Sequence, residues 1–144
     1  MQTAESILEN LQPDGKVSAE IKGVREPVIL KYFETFNAED FQATAALFAN
    51  DGAMRPPFES PVVGPDAIAI YLEQEAKGMQ LYPREGIDEI LEDGYLHYQV
   101  TGKVQTPFFG VNVSWIFVLN PDQEIFSATI KLLASPQELL NLRR

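Results

Sequence analysis

The chain has 144 residues, the size of one ordinary domain, and its 45% hydrophobic and 22% charged residues lie in the globular range. A formal net charge of −10 works against nucleic-acid phosphates and anionic membrane surfaces, and the lack of cysteine excludes disulfides, thiolate zinc sites and thiol nucleophiles. No run approaches the ~18 apolar residues of a membrane helix, and the acidic start Met1–Asn10 does not read as a signal peptide, so the expected setting is cytoplasmic.

Residues 1–26 read as an extension: a short helix with Ile7, Leu8 and Leu11, broken at Gln12–Lys16. The domain proper, residues 27–144, is expected to start with a helix at Pro27, a residue suited to the first helical position. Val28, Tyr32 and Phe36 then form one stripe, with Ile29 and Phe33 beside it. Asn37 and Asp40 resemble a capping pair ahead of Phe41, Ala45 and Phe48. Asn50-Asp51-Gly52 reads as a turn, and Ala53–Phe58 as a short strand that Pro56 and Pro57 confine to an edge. Gly64-Pro65-Asp66 opens a third helix with Ile68, Leu72, Glu75 and Met79 along one side, limited by Gly78 and Pro83.

The period then changes to two. Ile87–Leu91 is a candidate strand ended by Glu92-Asp93-Gly94. Tyr95–Gln105 alternates, with Leu96, Tyr98, Val100 and Val104 on one face. Val111, Val113, Trp115, Phe117 and Leu119 make the clearest strand face of the chain. Asn120–Gln123 reads as a hairpin turn and Glu124–Leu133 as the last strand. Ser135-Pro136-Gln137-Glu138 starts a short tail helix with Leu139, Leu140 and Leu142. Helices first, then a meander of strands, predict an α+β fold: helices packed on a bent, mostly antiparallel sheet, closed by a short C-terminal tail helix.

Residues able to carry chemistry are few. The single histidine, His97, has no thiol partner for a metal site and no nucleophile motif beside it, so no metal is expected. An acid–base enzyme needs a buried base, and neither Asp51, in its predicted turn, nor Glu75, on its helix, stands out as one. Tyr32 and Trp115 each put a large apolar body and one donor on an apolar face. Spacing alone fits both an ordinary core and a pocket for a long apolar molecule that ends in a carbonyl.

Several blocks resemble one family in order. Pro27–Asn37, Ala45–Phe48, Pro57–Ser60, Val63–Ile68, Thr101–Pro107 and Lys131–Leu140 are similar to the C-terminal domain of the cyanobacterial orange carotenoid protein. The resemblance implies a nuclear-transport-factor-2-like cone without catalysis, holding a keto-carotenoid of the canthaxanthin or echinenone type. It implies that Tyr32 and Trp115 grip the keto group and that Phe108 and Phe109 lie near the ring end. Val113, Phe117 and Ile130 are candidates for further tunnel lining. In the two-domain relatives a Glu matching Glu75 pairs with an arginine of a helical domain. Only about 26 residues precede the match here, so the expectation is a stand-alone relative.

Such a relative is expected to form a homodimer and to pass pigment to or from helical carotenoid-protein partners. Transient membrane contact is expected during pigment uptake, and the role is photoprotective, with singlet-oxygen quenching. Leu139, Leu140 and Leu142 are candidates for a lid, and simple packing on the sheet fits them equally. The alternatives are a cone-fold isomerase or hydrolase acting on a small apolar substrate, and a ligand-free interaction module with a filled core.

Overall fold

The computed structural model describes residues 21–133. Three helices among them, α1 (Pro27–Asn37), α2 (Phe41–Ala45) and α3 (Pro65–Glu75), accompany one six-stranded sheet. The strands are β1 (Phe48–Arg55), β2 (Val62–Val63), β3 (Gln80–Ile90), β4 (Leu96–Gln105), β5 (Gly110–Leu119) and β6 (Ile125–Leu132), in the order β2-β1-β6-β5-β4-β3. All neighbours are antiparallel except β1 and β6.

Each helix has a local reason to start where it does. Pro27 occupies the first turn of α1, where its missing N–H costs nothing, and Ile29, Tyr32, Phe33 and Phe36 form the buried stripe. Asp40 caps α2 by accepting from the Ala43 N–H at 3.2 Å. The buried Thr44 then locks α2 to α1 through a 2.7 Å hydroxyl–hydroxyl bond to Thr35. Gly64, at φ 91, turns the chain into α3 through a conformation that costs a side-chain-bearing residue strain.

β4 and β5 follow their two-residue period. Tyr98, Val100 and Val104 are buried on β4, and Val113, Trp115, Phe117 and Leu119 on β5. The hairpin at Asn120–Gln123 closes with mutual bonds between Asn120 and Glu124. Register shifts interrupt the β1–β6, β3–β4 and β5–β6 pairs, and such bulges bend and twist a sheet.

Several expectations change. Asn50-Asp51-Gly52 is not a turn but the irregular middle of β1, where Gly52 passes so close to β6 that a Cβ would meet the Ile125 carbonyl at 2.5 Å. The strand expected over Ala53–Phe58 starts earlier, ends at Arg55, and lies inside the sheet, since β2 forms the edge. β3 begins at Gln80 rather than Ile87, because the register shift between Pro83 and Glu85 admits a proline into an edge strand. The domain also begins before Pro27: Ile21 and Val24 are buried, and Lys22 bonds to Arg84 and Gly86 along the free edge of β3.

The other part of that edge is closed by a side chain. Asn37 donates to the Leu81 carbonyl at 2.9 Å and accepts from the Leu81 N–H at 2.7 Å. The residue expected to help cap α2 thus pairs like a short strand with β3. The expected tail helix, with Leu139, Leu140 and Leu142, lies outside the described residues.

Candidate functional site

A cavity of about 350 Å³ opens between α1, α3 and one face of the sheet. Its wall is almost wholly apolar, with Phe36, Met54, Leu72, Leu81 and Val104 among the lining residues. No Lys, Arg or His contributes to the lining among the described residues.

Tyr32 and Trp115 both line it. The stripe of α1 aims Tyr32 at the sheet, and the alternation of β5 aims Trp115 at the helices, so the two reach the cavity from opposite layers. Both side chains are 1% exposed. The Tyr32 ring stands edge-on to Phe33 at 5.3 Å and to Phe117 at 5.0 Å, and Phe33 stands edge-on to Trp115 at 4.8 Å. This aromatic cluster holds both rings in place.

Neither the Tyr32 hydroxyl nor the Trp115 indole N–H has a hydrogen-bond partner among the described residues. Burial, and secondarily the nearby Tyr71, push the Tyr32 pKa far above its usual value. Its hydroxyl therefore remains a neutral donor. Two neutral donors in the wall of an apolar cavity suit the oxygen of a carbonyl.

The mouth is different. The Tyr71 hydroxyl donates to Glu59 at 2.6 Å, which ties the segment after β1 to α3. Glu59, Tyr71 and Glu75 all line the cavity. The Tyr71 pKa is raised by partial burial first, then by the hydrogen bond to Glu59 and the charges of Glu59 and Glu75.

Of the other residues singled out in the sequence, Phe109, Val113 and Ile130 line the cavity. Phe108 does not: it points outward and is 90% exposed, because the turn at Thr106 hands only one of two consecutive phenylalanines to the cavity. Phe117 does not either. It is fully buried behind Tyr32, one step deeper along the same strand face as Trp115. His97 pairs with Val118 and Glu89 on the opposite face of β4, away from the cavity.

Sequence reasoning missed Phe36, Met54 and Tyr71 as lining. Phe36 was legible, one turn after Tyr32 on the same stripe. Tyr71 was half legible, four residues before Glu75 on the same helix. Met54 fell inside the expected strand Ala53–Phe58, but its place in the cavity wall shows only in the folded sheet.

A sequence model of the nuclear transport factor 2 (NTF2) domain matches residues 25–132. The orange carotenoid-binding protein of Limnospira maxima is 42% identical over 143 residues, covering 96% of this chain and 45% of the relative. That of Synechocystis is 41% identical over 98% of this chain and 46% of the relative. The chain therefore spans less than half the length of the curated relatives it matches. The solved structure of the Anabaena (Nostoc) orange carotenoid protein binding canthaxanthin superposes with a TM-score of 0.81 at 43% identity, over 92% of this chain and 44% of that one.

Proposed function

This chain belongs to the nuclear transport factor 2 domain family and is a homologue of the C-terminal domain of the orange carotenoid proteins, and from this membership we propose that it binds a keto-carotenoid without chemical turnover. One observation carries the reading: Tyr32 and Trp115, each with one donor and no hydrogen-bond partner among the described residues, line the same apolar cavity. A keto oxygen placed there accepts from both, while the conjugated chain follows the apolar wall past Val113 and Ile130 towards Phe109 at the opening. Donation to the ketone draws electron density along the polyene, so the bound pigment absorbs further to the red.

A volume of 350 Å³ lies near the lower end for ligand pockets. A domain of this size has a radius of gyration of roughly 15 Å, about half the length of such a rod. One copy holds one end of the pigment, and the rest is an apolar liability unless something covers it. In our reading a second copy does so, giving a two-fold dimer with one Tyr32–Trp115 pair at each ketone. Phe58, 94% exposed, follows the lining Pro57, and Phe108, 90% exposed, precedes the lining Phe109. Two bare phenyl rings beside the opening support pigment exchange with a membrane or with a helical carotenoid-protein partner, and thereby a part in photoprotection.

The test is an absorption spectrum of the protein purified from cells that make canthaxanthin or echinenone, followed by gel filtration. A red-shifted visible band eluting at the size of a dimer is expected. Colourless protein from pigmented cells would overturn the reading.

A further inference from the structure

The carboxylates at the cavity mouth have no part in the grip on a ketone. Glu59 and Glu75 are the charged residues of the lining, and no basic side chain joins them among the described residues. The nearby Lys77 is engaged with Glu73 at 3.5 Å. Glu59 is held at the opening by the 2.6 Å bond from Tyr71, which itself lines the cavity. The charges of both glutamates reach the Tyr71 hydroxyl and push its pKa up, which puts all three groups within electrostatic range of one another.

We infer that this acidic rim is a specificity filter: Glu59 and Glu75 reject apolar ligands that carry a carboxylate and admit neutral ones of the same shape. The inference deepens the binding reading above and rests on it. An amphipathic acid has two ways to enter. With its carboxylate inward, it buries a charge against Tyr32 and Trp115, which offer donors but no counter-charge, and the desolvation cost is not recovered. With its carboxylate outward, it meets two like charges at the rim. A ketone, aldehyde or ester meets neither obstacle.

Trp115 is the chain's only tryptophan and lines the cavity, so its fluorescence reports occupancy. The test is a titration with all-trans-retinoic acid and with its methyl ester, near neutral pH and low salt, for the unaltered protein and for the double variant Glu59→Gln, Glu75→Gln. The amide introduced by Glu59→Gln keeps an acceptor for Tyr71, and circular dichroism checks the fold. In the unaltered protein the acid is expected to bind on the order of tenfold or more weakly than the ester, from like charge at a partly solvated mouth. In the double variant the acid-to-ester ratio is expected to fall to about twofold. Equal binding of acid and ester by the unaltered protein, or an unchanged ratio in the variant, overturns the filter alone. Failure of the ester to bind at all overturns the cavity reading, and the filter with it.

Discussion

Replacing Tyr32 by Phe separates a ligand donor from a structural hydroxyl. The ring contributes most of the residue's packing: it is edge-on to Phe33 and Phe117, and tilted against Phe36 at 6.1 Å and Phe48 at 6.4 Å. Phenylalanine keeps all of these, whereas truncation to alanine would cost about 3–5 kcal/mol. The hydroxyl has no partner among the described residues, so its removal breaks no described bond within the protein. The pigment-free Tyr32→Phe protein is therefore expected to keep its stability to within about 0.5 kcal/mol, measured by urea unfolding followed through Trp115 fluorescence.

Binding should respond differently. A keto oxygen in a dry pocket that loses one of two donors gives up about 1–2 kcal/mol, roughly a five- to thirtyfold loss of affinity for canthaxanthin. The visible band should move to the blue, and the double variant with Trp115→Phe should lose the red shift or the pigment altogether. A stability loss above about 1 kcal/mol in Tyr32→Phe would show that the protein itself holds the hydroxyl. Unchanged affinity and colour would remove Tyr32 from the site.

The buried tyrosines and the strand edges supply further tests. The Tyr32 pKa is raised in the folded state, chiefly by burial, so the folded protein keeps a proton that the unfolded chain releases above pH ~10. Stability is thus fully present below that pH and falls as the pH rises past it; alkaline unfolding accompanied by tyrosinate absorbance should be shallower in Tyr32→Phe. Asn37→Ala removes both side-chain bonds to Leu81 and leaves a strand N–H and C=O unpaired, so it should cost about 2–3 kcal/mol in thermal or urea unfolding and loosen the β3 side of the cavity. In Gly102→Ala the new methyl group would meet the Tyr82 carbonyl and the Pro83 backbone across the β3–β4 ladder, so poor folding is expected, visible as loss of soluble protein or of the native circular dichroism.

Strong local patterns survived folding unchanged. The stripe on α1, the two-residue period of β4 and β5, and the Asn120–Gln123 turn needed only neighbouring residues to declare themselves. That was enough to place Tyr32 and Trp115 on inward faces, and the resemblance to the carotenoid proteins joined them in one site. Where a local signal had two readings, the sequence misled. Pro83 read as a stop, but an edge strand with a register shift tolerates it. Asn37 read as a cap, but its amide reaches the backbone of a residue 44 positions away.

Composition and residue order settle the inventory of the cavity: which residues are apolar, which carry a donor on an apolar face, and that no thiol and one imidazole exist in the chain. Depth and company arise only in three dimensions. Phe108 and Phe109 are adjacent in sequence, yet one faces solvent and the other the cavity. Trp115 and Phe117 share a strand face, yet the packing of Tyr32 and Phe33 leaves one at the cavity and seals the other behind it. Glu59 and Tyr71 meet because the segment after β1 is drawn against α3. Period and propensity act over a few residues, whereas a cavity is bounded by the layers that close over it, and those are paired by the parallel contact of β1 with β6 and the fold of the sheet around α1 and α3.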